Sequence, residues 1–316
     1  MRVMADPATV LRVSARKLED FTARAFQAVG IAVKDSKNIA ELMVRADLQG
    51  SEGHGVFRLP QYIRRIKGGA VNVKPRIRIE REAAGMALVD GDNGMGHLVM
   101  RFATEKAIEK AKSAGVAWVG VKWSNHAGPA SLYAGMPLEH DMAGLYLAVG
   151  NANHLPPWGG LDMLLSTNPI AVAVPAGEEP AIVLDMATTV AAYGKVKTKA
   201  QRGETMPEGW MMDRQGRPLT DPKRANEGFL LPIGGYKGYG LALIFGLLAG
   251  TLNGAASGMP FFIRSARAAW LPSPGSRIRS TPGRRRDARM SRISASTLFL
   301  NSATGWNAST LIATMT

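Results

Sequence analysis

Two histidines stand where acid–base chemistry is easy to build. His54 lies in the run GSEGHGVFR, flanked by glycines and four residues before Arg58, so a helical turn brings the two side chains to one face. An imidazole whose ordinary pKa is near neutrality can pass a proton to a developing alkoxide, and a guanidinium can grip a carboxylate through two parallel hydrogen bonds. The pairing suits a 2-oxo acid; a turn histidine and a solvated arginine fit the same local pattern. His126 lies in WSNHAGPASLYAG, directly after an apolar run. Strand ends that precede helices are where sites gather in α/β proteins, and Ser124, Asn125 and the amides that follow suit a phosphate or a nicotinamide amide. A strand-capping histidine bonded to backbone is the alternative. His97, His140 and His154 have weaker surroundings and read as structural.

Lys237 lies in PIGGYKGYG, among Gly234, Gly235, Gly238 and Gly240 and just before an apolar stretch. A cation on a glycine-rich loop that opens a helix can bring charge and bare N–H groups to a phosphate. The order GxxxxGK[ST] is absent, and so is G-x-G-x-x-G, which removes the usual phosphate-loop and dinucleotide fingerprints. The chain has no cysteine, and its five histidines form no HxH or HxxxH pair, so no metal site is expected.

These residues need a frame. The chain has 316 residues, 46% of them hydrophobic and 20% charged, a globular balance with room for two lobes. Apolar spacing predicts helices over 8–30, 34–49 and, shorter, in VFRLPQYIRRIKGG, giving a helical lobe over 1–75. From 76 to 258 the pattern alternates. Two strands in IRIEREAAGMALVDGDNG and a helix over 98–114 precede strand-like runs at 116–122, 142–150, 168–176 and 180–187, and GDNGMG reads as a strand-to-helix turn. A turn-rich loop at 207–222 and a buried helix at 238–258 follow. This is an α/β lobe. No apolar run reaches the ~18 residues of a membrane helix, and residues 1–30 are charged throughout, without a secretory leader, so no membrane partner and a cytoplasmic location are expected.

The net charge is +14, and residues 259–316, with nine arginines and one acid, supply +8 of it. No basic motif interleaved with aromatics and no recognition-helix pattern accompanies the charge, so nucleic acid is not the expected partner. Residues 259–316 carry no run of helical or strand periodicity.

The segments ADLQGSEGHGVFRLPQYI, VDGDNGMGH, VKWSNHAGPASLYA, LSTNPIAVAVP, IVLDMAT, YGK, PEGWMMDRQGRPLTDP and LLPIGGYKGYGLAL occur in this order over roughly residues 15–258. Together they resemble the type-2 malate/L-lactate dehydrogenase family, which also takes in sulfolactate, ureidoglycolate and 2,3-diketogulonate oxidoreductases and cyclic-imine carboxylate reductases. The resemblance implies an α/β, non-Rossmann fold with a helical lobe and a mixed-sheet cofactor lobe, and an NAD- or NADP-dependent homodimeric oxidoreductase acting on a small 2-oxo or 2-hydroxy acid. It implies His54 as the proton donor and Arg58 as the group that holds the substrate carboxylate. His126 corresponds to a histidine beside the nicotinamide that serves as acid/base in some members. Thr167 matches a substrate contact, Asp185, Met186 and Ala187 match the cofactor loop, and Lys237 matches a cofactor contact; Ser124 joins the expected cofactor-binding residues from its place at the strand end. No metal is implied.

This sequence departs from the family pattern at two places. Gly53 stands where the family usually has a serine before the histidine, which leaves Ser51 as the neighbouring hydroxyl. Residues 259–316 lose the family pattern, with only PGRRR at 282–286 as an echo, and we read them as a disordered or frame-shifted basic tail. A catalytically impaired homologue is the alternative that this tail raises. Resequencing the gene tests the frame-shift: a break in the reading frame near codon 259 is expected, and an intact frame overturns it.

Overall fold

In the computed structural model, residues 12–150, 152–253 and 310–315 are described. The helical part comes first, with α1 (Ala15–Gln27), α2 (Val33–Leu48) and α3 (Leu59–Lys67). Their apolar stripes meet in one core that contains Phe26, Ile39, Met43, Tyr62 and Ile66. Burying side chains such as Phe26, Ile39 and Met43 completely contributes about 1.5–3 kcal/mol each. Between α2 and α3 the chain makes two short 3-10 turns, Glu52–His54 and Val56–Arg58. Pro60 sits in the first turn of α3, where its missing N–H leaves no bond unmade, and the helix stops before Gly68 and Gly69.

The predicted pair of strands is a hairpin, β1 (Arg78–Ala83) antiparallel to β2 (Met86–Gly94). GDNGMG, expected as a turn, instead continues β2 through Gly94 with an irregularity at Asp92 and Asn93, and only Met95 precedes α4 (Gly96–Ala114). This helix crosses back to β3 (Val116–Ser124), parallel to β2. The buried stripe of α4 is rich in alanine (Ala103, Ala107, Ala111), so the helix lies close on the Val89, Val119 and Val121 side of the sheet. β4 (Ala143–Ala148), β5 (Ile170–Ala176) and β6 (Glu179–Met186) follow as an antiparallel meander. Among the described residues only the β2–β3 pair is parallel, so the sheet is mixed, as expected, and β6 forms one edge of it.

One expectation fails. No strand is predicted in 259–316, yet Thr310–Met315 forms a central strand, antiparallel to both β3 and β4. With β7 (Met211–Asp213) and β8 (Gly228–Leu230) forming a separate ribbon, this strand is β9, and the sheet order is β1-β2-β3-β9-β4-β5-β6. A strand held on both sides takes its definition from its neighbours, and six residues are too few for periodicity to show. The rest of the tail, with the frame-shift reading, lies outside the described residues.

The remaining helices are α5 (Ser131–Ala134), α6 (Tyr193–Arg202) and α7 (Tyr236–Gly246). The helix predicted over 238–258 starts two residues earlier and passes into a π turn at Leu247–Thr251. No described helix is long and apolar enough to cross a membrane.

His97, read as structural, is wholly buried in the first turn of α4, and its ring meets the edge of Tyr62 at 5.6 Å. Neither ring nitrogen has a hydrogen-bond partner among the described residues. Burial, with the Arg101 charge, lowers its pKa to about 3. The folded state therefore resists a proton that the unfolded chain accepts near pH 6.5. Stability is full above that value and is lost as pH falls from it toward about 3. Thermal melts between pH about 7 and about 4 should show His97→Leu losing less stability than the wild type over that window. Equal losses would contradict this.

Candidate active site

The site forms where α3 lies against the loop after β3. Arg58, Tyr62 and Arg65 follow one another at helical spacing on one face, and two of them reach that loop. The Tyr62 hydroxyl is 2.5 Å from Nδ1 of His126, and Arg65 donates to Oδ1 of Asn125 at 3.1 Å. Asn125 in turn donates to the Gly94 carbonyl, tying the loop to the end of β2. Gly96 makes this approach possible: a Cβ there would run into the carbonyls of Asn125 and His126.

The two predicted histidines come together although 72 positions separate them in the chain. Their rings stack with centroids 5.6 Å apart and planes 16° from parallel. His54 is positioned from its own side by backbone, its N–H bonding to the Ser51 carbonyl at 2.8 Å. Next to it, Asp47 on α2 accepts the Val56 N–H at 3.0 Å, and Gly55 leaves room for that carboxylate. Ser51 thus contributes a carbonyl that shapes the turn.

Arg58 is held in advance. Its Nε donates to the Gly53 carbonyl at 2.7 Å and its Nη1 to Gln61 at 2.9 Å. Nη2 lies 3.7 Å from where a Cβ on Gly194 would stand, which brings the start of α6 to the guanidinium.

Burial and the Arg58 charge push the His54 pKa down, and Asp185 pushes it back up. His126 keeps an exposed surface, yet the protein crowded around it, and then the charges of His54, Arg58 and the groups beyond, hold it well below the usual value. Both rings are therefore neutral at neutral pH. Burial raises the Tyr62 pKa, so its hydroxyl keeps its proton.

A second group of predicted residues meets at the same end of the sheet, where β6 finishes and β5 begins. Thr188, next to Ala187, donates from its N–H and its hydroxyl to the Thr167 carbonyl, both at 2.9 Å. The Thr188 carbonyl accepts the Ile233 N–H at 3.0 Å, which links Met186 and Ala187 to the turn before Lys237. Lys237 is exposed, and it lies in the first turn of α7 where the loop was expected to continue. Gly234 and Gly235 have left-handed φ values of 57° and 65° just before it. Asp185 joins the two groups: its Oδ2 accepts the Ser131 N–H at 2.8 Å while its charge reaches His54. Ser124 donates to the Asn125 carbonyl at 3.1 Å, within the same loop as His126.

Three features escaped the sequence reading. Tyr62 carries a visible signal, four residues after Arg58 on the same face, but only the fold supplies its partner. Arg65 follows at the next turn of that face. His154 stacks on Tyr193 with centroids 4.0 Å apart, beside Lys197, a pairing that no local motif announces. Among the described residues, no group of three His, Asp or Glu is placed to hold a metal ion.

The family model described as malate/L-lactate dehydrogenase matches residues 13–270, past position 258 where the run of motifs stops. The chain is 41% identical over 253 residues to a malate dehydrogenase of Pyrococcus horikoshii, covering 77% of this chain and 69% of that one. It is 38% identical over 248 residues to an L-sulfolactate dehydrogenase of Methanothermobacter thermautotrophicus, covering 78% and 72%. The solved sulfolactate dehydrogenase of Methanocaldococcus jannaschii superposes with a TM-score of 0.75 at 32% identity, over 96% of this chain and 78% of that chain.

Because Arg58 and Asp185 act on His54 in opposite senses, their removal should move it in opposite directions. In NMR titrations of the histidine ring protons, Arg58→Met is expected to raise the His54 midpoint and Asp185→Asn to lower it. Shifts of the same sign would contradict the arrangement.

Proposed function

Since the chain belongs to the malate/L-lactate dehydrogenase family, we propose that it moves a hydride between a nicotinamide dinucleotide and C2 of a small 2-hydroxy or 2-oxo acid, or of a related cyclic imine carboxylate. The stacked pair His54 and His126 beside a pre-oriented Arg58 carries this reading. It joins a proton donor, a second polar ring and a carboxylate anchor within one small volume.

The donor set suits a dinucleotide. Gly234 leaves open space before α7, Gly235 beside it lies against the Trp158 ring, no described side chain caps that helix, and Lys237 adds a cation, which together fit a pyrophosphate. The Asp185–Ala187 segment is assigned to the cofactor, and Thr167, bonded to Thr188 beside it, to the substrate. When bound, the cofactor in its reduced form would supply the hydride, and in its oxidised form would accept one in the reverse direction.

The protein's own residues do the rest. Arg58 receives the substrate carboxylate, for which its two bonds to Gly53 and Gln61 have already fixed the plane of the guanidinium. Burial lowers the His54 pKa most and the Arg58 charge next; an anion seated on Arg58 offsets that charge, so substrate binding moves the pKa back up and favours a proton on His54. His54 then gives that proton to the oxygen at C2, or to the imine nitrogen, as the hydride arrives at carbon. In oxidation it takes the proton back from the alcohol. The orientation imposed by Arg58 and the histidines supplies most of the rate, as in other reactions between held partners.

The relatives' names, malate and sulfolactate dehydrogenase, favour a substrate with a second anionic group on C3. We further assign a homodimer: β6 is a sheet edge on which Ile182, Val183 and Leu184 are exposed, a surface that a second subunit would cover.

Absorbance of NADH and NADPH, followed with oxaloacetate, pyruvate, sulfopyruvate, 2,3-diketogulonate and piperideine-2-carboxylate, tests the reading. Turnover with at least one is expected, reduced about 10²–10⁴-fold in kcat by His54→Ala. Arg58→Met should cost about 10–100-fold in kcat/KM, the worth of a charged hydrogen bond. Folded protein with no turnover across the panel would instead favour an impaired homologue.

A further inference from the structure

We propose that Tyr62 is a positioning residue that locks His126 in the tautomer with its proton on Nε2, so that His126 meets a ligand as a hydrogen-bond donor and leaves the proton transfer to His54. The assignment to a reaction rests on the function proposed above; the lock itself rests on geometry alone.

Two groups converge on Nδ1 of His126. The Gly128 backbone N–H approaches at 3.3 Å, and a backbone amide can only donate, so Nδ1 offers it a lone pair. The Tyr62 hydroxyl approaches the same nitrogen at 2.5 Å. Tyr62 is buried and stays a phenol, which has a proton to give. With Nδ1 accepting from both sides, a neutral imidazole must carry its hydrogen on Nε2.

The tyrosine can hold this role because it is itself held. Its ring is part of the apolar core with Phe26, Met43 and Ile66, and the edge of buried His97 meets it at 5.6 Å. Gly128 is fixed in turn by its left-handed φ of 85°, which presents its N–H within the turn after His126, and a side chain there would crowd Nε2 of His97. His97 thus backs both donors.

The chemical consequence is a division of labour. A histidine with Nδ1 occupied and a proton on Nε2 has no free lone pair for a substrate alcohol, so it cannot begin oxidation as a base. It can donate Nε2–H to the oxygen at C2 and polarise the carbonyl. His54, stacked on it and exposed to the Arg58 and Asp185 charges, remains the ring whose protonation changes during turnover.

Long-range ¹H–¹⁵N spectra of the histidine side chains, recorded on the cofactor-free full chain with His126→Gln to assign the signal, read the tautomer directly. The wild type should show His126 as a single Nε2-protonated form, and Tyr62→Phe should show a mixture of both tautomers. Protonation of His126 on Nδ1 in the wild type, or an unchanged pure tautomer in Tyr62→Phe, overturns the lock. In turnover, Tyr62→Phe should lower kcat by the share of the ring that leaves the Nε2-protonated form, about 2–10-fold, with little change in KM. That is less than the ~10⁴-fold loss when a catalytic histidine is forced into the wrong tautomer, because Gly128 still biases the ring. A lowered kcat with unchanged spectra would mean a merely structural role and would also overturn it. The spectra need no activity: a locked His126 in a chain without turnover retires the proposed reaction and leaves the lock standing.

Discussion

The site depends on one crossing, the contact of α3 with the loop that follows β3. Tyr62 and Arg65 make it with polar groups, one to His126 and one to Asn125, and both bonds span at least 60 positions of sequence. Closing so long a separation costs chain entropy that two hydrogen bonds cannot offset by themselves. The apolar stripe of α3, Leu59, Tyr62 and Ile66, packed with Phe26 and Met43, provides the remainder, and the polar contacts then fix the register. If α3 shifted by one residue, Tyr62 and Arg58 would both leave the histidines, since they share one helical face.

The electrostatics follow from that placement. Two neutral histidines stack beside arginines in a setting that disfavours further positive charge and therefore favours an anion. After burial, Arg58 is the main charge that lowers the His54 pKa, and Asp185 opposes it. In the proposed reaction the same guanidinium would also anchor the anion, which would couple binding to the protonation of His54. Substrates without a carboxylate would forfeit both effects together.

Much of the frame was legible in the chain. The hairpin, the 98–114 helix and the apolar runs from 116 to 187 announce themselves because each buries a regular stripe or face, and strong periodicity survives any tertiary context. His54, Arg58 and His126 stood out because glycines isolate them from the core pattern. Tyr62 did not, because a tyrosine on an amphipathic helix looks like core until its hydroxyl finds a partner 64 residues away. β9 was equally hidden: a six-residue segment is drawn into strand form by β3 and β4 on either side, not by a pattern of its own. Lys237 was found but placed in a loop, since glycines before and after it obscure where α7 begins.

The central claim is that the histidine pair and Arg58 present C2 of a 2-oxo acid to a hydride donor. It is tested most directly by following the hydride itself, with NADH or NADPH deuterated at C4 and oxaloacetate as acceptor. The account predicts that one face of the labelled cofactor delivers its deuterium to C2 of the product, where mass spectrometry and NMR locate it. Product formed with solvent hydrogen at C2, or deuterium found at any other carbon, would contradict it.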